Sequence, residues 1–155
     1  MKKNTCHCPS GCQTRRCACL KAGKQCKASC LCMNCKNPFN QIEDPKRLTV
    51  CARGHIKKII SLSEKDLSHL YHLLCDCRES ASLKELLESY ECPRCHEVYY
   101  YSFCMNEVVH SFSMWHCQVC STCREDSEWH CKHCNDCTYG LSLECENCGR
   151  KSPYM

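Results

Sequence analysis

The chain has 155 residues, of which 23 are cysteine, and a formal net charge of +4. A cysteine share this high marks a scaffold held by disulfides or by metal rather than by an ordinary core. Met1-Lys2-Lys3-Asn4 runs into Cys6 without an apolar segment, and no apolar run nears the about 20 residues of a membrane span, so a secretion signal and a transmembrane helix are not expected. The cysteine count is odd, and most cysteines stand in C-x-C or C-x2-C pairs. Thiolates at that spacing chelate one tetrahedral ion. Zinc in a reducing compartment is therefore expected over a secreted disulfide framework. Charge is unevenly spread: residues 1–42 carry eight Lys or Arg and no acid, residues 43–90 balance at eight of each, and residues 91–155 carry five basic and nine acidic side chains. A basic head with an acidic tail points to nucleic acid as the head's partner.

In the head, Cys6, Cys8, Cys12, Cys17, Cys19, Cys26, Cys30, Cys32 and Cys35 read C-x-C-x3-C-x4-C-x-C-x6-C-x3-C-x-C-x2-C. Three tetrahedral zinc ions need twelve bonds, which six terminal and three bridging sulfurs supply. Nine cysteines thus fit one trinuclear cluster; two separate sites with a spare cysteine are the alternative. Three Zn2+ and nine thiolates carry a net −3, so the head's +8 falls to about +5. Structural zinc contributes on the order of 10 kcal/mol per site to folding, enough to order a segment with no apolar core.

This segment, about residues 5–38, resembles the CXC domain of the tesmin/TSO1 family. The resemblance rests on the nine-cysteine spacing, on Cys17-Ala18-Cys19-Leu20-Lys21-Ala22-Gly23-Lys24, and on the closing Cys35-Lys36-Asn37-Pro38. It implies a trinuclear zinc cluster and sequence-selective binding of duplex DNA. The chain departs from the family in having one repeat where two usually occur. It also has Arg16 where a tyrosine commonly precedes the central C-x-C. An arginine can enter a narrow minor groove or pair with guanine edges. Arg15, Arg16, Lys21, Lys24 and Lys27 are the expected DNA-facing side chains; the plainer reading is that they offset thiolate charge.

Residues 1–38 form the expected CXC zinc-cluster domain and 39–47, with two prolines nearby and an Asp-Pro step, a linker. Residues 48–90 read as a short helical connector. Leu48-Thr49-Val50 suggests a short strand, and Ile56 to Leu62 a further apolar stretch. Ser63-Glu64-Lys65-Asp66 and Ser82-Leu83-Lys84-Glu85 are capping-box patterns. Leu67, Leu70, Tyr71 and Leu74 follow the first at helical spacing, and Leu83, Leu86, Leu87 and Tyr90 accompany the second. A helical hairpin with Cys75 to Ser80 in its turn is expected. Cys75-x-Cys77 either joins a zinc site or is a buried thiol beside an incidental one. Cys51, His55, His69 and His72 receive no role.

Residues 91–150 read as a multi-zinc ribbon and knuckle domain, followed by a tail at 151–155. Cys92-Pro93-Arg94-Cys95 precedes a β-rich run, Val98 to Phe103. One unit then occurs twice with a period of 14: Trp115-His116-Cys117-x2-Cys120-x2-Cys123 and Trp129-His130-Cys131-x2-Cys134-x2-Cys137. Cys145-x2-Cys148 closes the series. The 21 residues between the Cys92 pair and the Cys117 pair suit a zinc-ribbon hairpin. These ten cysteines, with Cys104 left out as a strand residue, need two histidines to complete three sites; His116 and His130 are preferred over His110 and His133. Two four-cysteine sites with two spare cysteines are the alternative. The doubled H-C-x2-C-x2-C of residues 115–148 loosely resembles the CTCHY zinc finger of some ubiquitin ligases.

The expected fold class is therefore small, zinc-stabilised modules with little regular secondary structure, a helical hairpin lying between the trinuclear cluster and the ribbon region. The expected cofactor is Zn2+, three ions in the head and two or three in the C-terminal region. No catalytic constellation is evident, and an enzyme is not expected. The expected function is a nuclear, transcription- or chromatin-related protein that binds duplex DNA through its head and a protein partner through its C-terminal zinc region. Neither a membrane nor a small-molecule substrate is expected as a partner. The alternative is a ubiquitin-ligase-like or transposon-related interaction protein without DNA specificity of its own.

Overall fold

A computed structural model describes residues 5–9 and 11–155. The reading of Met1-Lys2-Lys3-Asn4 lies outside the described residues. The protein is a set of small cysteine-rich modules with short helices and mostly short strands. Among the described residues, no helix is long and apolar enough to cross a membrane.

The head has one helical turn, α1 (Ala18–Lys21), whose N-cap is Cys17: its sulfur accepts the Leu20 N–H at 3.4 Å. Two arms of the head run side by side. Leu31 N–H donates to Cys6 O, Met33 N–H to Cys8 O, and Lys36 N–H to Gly11 O. Gly11 sits at φ +80, and a Cβ there would lie 2.9 Å from Asn34 O, so the arms can close only around glycine. The buried side chains inside are sulfurs: Cys6, Cys12, Cys17 and Cys19.

Residues 39–47 are not a free tether. Pro38–Gln41 forms a 3-10 turn capped by Asn37, and Phe39, 2% exposed, enters the main apolar core. Asn37 is buried; its side-chain amide donates to Lys24 O at 2.8 Å and to Cys26 Sγ at 3.2 Å. Asn40 accepts the Cys26 N–H at 2.9 Å and donates to Cys35 Sγ at 3.4 Å. The closing Cys35-Lys36-Asn37-Pro38 motif thus ties the sulfur cluster to the rest of the chain.

The central region has the only sizeable apolar core among the described residues. Leu48-Thr49-Val50 is not a strand: Thr49 Oγ1 accepts the Ala52 N–H and caps α2 (Val50–Gly54), which is followed by α3 (Ile56–Ile59). Both capping boxes form, on α4 (Glu64–Leu67) and α5 (Leu83–Leu86). Each helix stops after about one turn, so there is no helical hairpin. Strands β1 (Leu70–His72) and β2 (Ser80–Ser82) pair antiparallel between them. A lone short helix is marginal, and here it yields to strand pairing that carries Cys75 and Cys77 at the hairpin tip. Leu70 and Leu74, two members of the presumed helical stripe, are 63% and 67% exposed, while Tyr71 packs on Tyr101 and Leu73 is buried.

Against these elements packs a three-stranded antiparallel sheet of β3 (Tyr90–Glu91), β4 (Val98–Ser102) and β5 (Glu107–His110). Tyr99, Tyr100, Tyr101 and Ser102 are all buried, so both faces of β4 are covered. The two sequence repeats then form two β-hairpins, β6 (Met114–Cys117) with β7 (Thr122–Glu125), and β8 (Glu128–Cys131) with β9 (Asp136–Tyr139). The repeat extends to the tryptophans: Trp115 Nε1 donates to Glu125 O at 2.9 Å, and Trp129 Nε1 to Gly140 O at 3.0 Å.

Candidate metal centres

All 23 cysteines are free thiols. A tetrahedral zinc with Zn–S of about 2.3 Å and Zn–N of about 2.0 Å holds two sulfurs about 3.8 Å apart, and sulfur and nitrogen about 3.5 Å apart. A disulfide would bring sulfurs to about 2.05 Å. The contacts below match the first pattern.

In the head, three groups of four sulfurs overlap: Cys6, Cys8, Cys12, Cys17; Cys6, Cys17, Cys19, Cys26; and Cys6, Cys12, Cys26, Cys32. Cys6 lies 3.8 Å from Cys12 and 3.7 Å from Cys26, and Cys19 lies 3.6 Å from Cys30. Cys35 completes the nine beside Cys26, Cys12 and Cys32. Burial, together with the nearby Cys26 and Cys12 sulfurs, pushes the Cys6 thiol far above the ordinary range. Thiolates packed this way need cations among them.

The remaining cysteines gather in four sets. The first is Cys75, Cys77, Cys92 and Cys95, with Cys75 and Cys92 sulfurs 3.8 Å apart. The second is Cys51, Cys104, His116 and Cys123. Its Cys51 and Cys104 sulfurs are 3.9 Å apart, and His116 Nδ1 is 3.5 Å from both Cys104 and Cys123. The third is Cys117, Cys120, His130 and Cys137: His130 Nδ1 lies 3.5, 3.4 and 3.9 Å from the three sulfurs in that order, and Cys120 to Cys137 is 3.6 Å. The fourth is Cys131, Cys134, Cys145 and Cys148, with Cys131 to Cys148 at 3.7 Å and Cys134 to Cys145 at 3.8 Å.

Strand geometry explains why one repeat unit serves two sets. Successive side chains on a strand point to opposite faces. His116 and Cys117 are neighbours on β6, so they face opposite ways, and His116 sits directly across from Cys123 on β7. His130, Cys131 and Cys137 repeat this on β8 and β9. In each unit the His and the last Cys close the preceding set, while the C-x2-C pair opens the next. The sets are linked in series along the chain.

The four C-x2-C pairs share one turn. The residue after each second cysteine, His96, Ser121, Asn135 or Gly149, has φ between +55 and +65. In the first three pairs that turn aims backbone N–H groups at the first sulfur. The Cys95 N–H, with that of Arg94, holds the Cys92 thiol down at about 7, and those of Cys134 and His133 hold Cys131 at about 7. The His116 ring packs closely over Gly54, where a Cβ would lie 3.1 Å from Nε2.

Every cysteine read as a ligand from the sequence lies in one of these groups, as do His116 and His130. His110 does not: it packs on Tyr99, with Nε2 3.7 Å from Glu97. His133 is exposed. The Cys92 pair meets Cys75 and Cys77 rather than the Cys117 pair, so the expected ribbon between those two pairs does not form. Cys104 is not a bystander on a strand but sits in the β4–β5 turn within the second set, beside Cys51 of α2. Sequence reasoning left out Cys51 and Cys104 and left Cys75 and Cys77 open between a zinc site and a buried thiol beside an incidental one. The missed signal is arithmetic: fourteen cysteines outside the head plus two histidines make sixteen ligands, a multiple of four.

The five basic head residues Arg15, Arg16, Lys21, Lys24 and Lys27 are all exposed, and none forms an ion pair among the described residues. The fold and these centres define a class: a small cysteine-rich protein whose Cys/His groups can hold metal ions and fit zinc in donor type and spacing. No family model, no curated protein and no solved structure matches the chain.

Proposed function

We propose that the protein carries seven Zn2+ and binds duplex DNA through its head, as a nuclear factor of CXC type. In the head, Cys6, Cys12 and Cys26 act as bridges, with Cys8 and Cys17, Cys19 and Cys30, and Cys32 and Cys35 as the terminal pairs. The group Cys6, Cys8, Cys12 and Cys17, the 3.6 Å contact of Cys19 with Cys30, and the place of Cys35 beside Cys26, Cys12 and Cys32 support that partition. Each of the other four sets takes one ion. Every set is filled by four protein ligands, the pattern of a structural rather than a catalytic site, which supports a binding role.

The observation that carries DNA binding is the exposed, unpaired basic set on the head. There, backbone and sulfur fix the positions of Arg15, Arg16 and Lys21 around α1. Cations without carboxylate partners release counterions on meeting phosphates, and five such contacts give binding with a salt slope of about −4.5. Fluorescence anisotropy of the zinc-loaded chain with a labelled random duplex tests this. Binding at low salt that weakens in Arg16→Ala is expected; no binding, with zinc content intact, overturns the reading. The C-terminal region, with an acidic balance and exposed Phe112, Val119 and Leu143, is the surface for a protein partner. Discharge of ubiquitin from a charged conjugating enzyme would favour the ligase-like alternative.

A further inference from the structure

A cleft of about 710 Å³ lies between the head and the central region. Gln13, Thr14, Arg15 and Lys21 form its head wall; Arg53, Lys57 and Lys58 of α2–α3 form the other. Five cations line it, and no carboxylate does. None of the five is ion-paired among the described residues, whereas Arg47, Arg94 and Arg124 elsewhere pair with Glu88, Glu79 and Glu128. Ordinary ligand pockets are mostly apolar. A cleft of uncompensated cations instead focuses positive potential and is built for an anion.

Two of the cations, Arg53 and Lys58, rest against fixed neighbours. Gly23 ends the head wall and lies against the Arg53 side chain, 3.5 Å from where a Cβ would stand. Lys58 Nζ sits 5.2 Å over the Phe103 ring. Asn37, Phe39 and Asn40 fix the head to the core on which α2 and α3 pack, so the two walls keep one separation.

Resting on the DNA-binding reading above, we propose that this cleft takes the sugar-phosphate backbone of the same duplex. The α2–α3 segment is then a second half of the interface. Arg15 and Lys21 belong to both the head's basic face and the cleft, which makes the two surfaces continuous. Arg53, Lys57 and Lys58 position the duplex through phosphates and carry no sequence preference.

The test uses the full zinc-loaded chain and a labelled random duplex, with affinity measured across a salt series. One variant combines Arg53→Gln, Lys57→Ala and Lys58→Ala. A charge-matched control combines Lys132→Ala, Arg150→Ala and Lys151→Ala, all exposed on the tail. A third variant is Arg16→Ala, in the head but outside the cleft. Zinc content by native mass spectrometry checks each fold, and the double variant of the exposed Lys57 and Lys58 replaces the triple if Arg53→Gln perturbs it. The cleft variant is expected to weaken binding at low salt about tenfold or more and to reduce the salt slope by about 2.7, while the control changes neither. If Arg16→Ala weakens binding but the cleft variant matches wild type, or if the control falls as far as the cleft variant, the cleft proposal is overturned and the head reading stands. If the wild-type chain binds no duplex, both are overturned.

Discussion

The head and the tail use the same thiolate chemistry in opposite ways. In the head, nine sulfurs crowd into overlapping groups around Cys6, and almost nothing else is buried there. Outside the head, sixteen ligands, thirteen from the tail and Cys51, Cys75 and Cys77 from the central region, fall into four sets that share no atom and are joined only by the chain. A shared cluster ties the fate of every ligand to its neighbours, whereas a series of closed sites can lose one member and keep the rest. Between them, Tyr99, Leu86 and Phe39 anchor an apolar core in which Cys51, Cys92 and Cys123 are also buried, so the core borders two of the sets.

The strongest break of this contrast is removal of metal. Chelation is expected to unfold the head outright, since about 10 kcal/mol or more of folding energy goes with each structural zinc. Loss of dispersed amide resonances for residues 5–37, ahead of those of β4, is the readout.

The comparison sharpens with single ligands. Cys6→Ser, at a proposed bridging position, is expected to drop the metal count by three, and Cys148→Ser by one, measured by native mass spectrometry. Equal losses would remove the distinction between shared and serial sites.

The central core gives a smaller effect. Leu86, fully buried, is expected to cost about 2–5 kcal/mol as Leu86→Ala in denaturant unfolding, with the head's zinc content unchanged.

The smallest effect is in pH. Cys92 and Cys131 are held near 7 by the N–H groups of their turns, below the ordinary thiol value of 9.0. A depressed thiol pKa favours the folded state fully above about pH 9, and that advantage is lost as pH falls through about 7. Zinc competition titrations should show tail affinity falling as pH drops through 7. Adding a Cβ after the knuckle, Gly149→Ala at φ +65, should strain that turn and weaken metal retention by the fourth set, read by native mass spectrometry.

Much of the chain was legible without coordinates because its signals are local. Ser63 with Asp66 and Ser82 with Glu85 announce capping boxes within four residues, and both form. Cys117-x2-Cys120 announces a chelating turn for the same reason. The helix begun at Ser63 stops at Leu67, because a periodic stripe, Leu67 to Leu74, says only which side chains would align. Whether a short helix persists depends on packing partners, and here Ser80–Ser82 offered strand pairing instead.

The amino-acid sequence by itself pointed to metal as the organiser of this protein, made a shared cluster the expected use of the nine head cysteines, and placed positive charge in the head. Ligand count, pair spacing and charge are properties of composition and near neighbours. Only the tertiary structure decided which pairs meet: Cys75 and Cys77 with the Cys92 pair, His116 and Cys123 with Cys51 and Cys104, and the head's cations with those of α2–α3. A C-x2-C pair supplies half a tetrahedron wherever it lies. The other half comes from a distant segment, selected by strand alternation, register and the packing of the core.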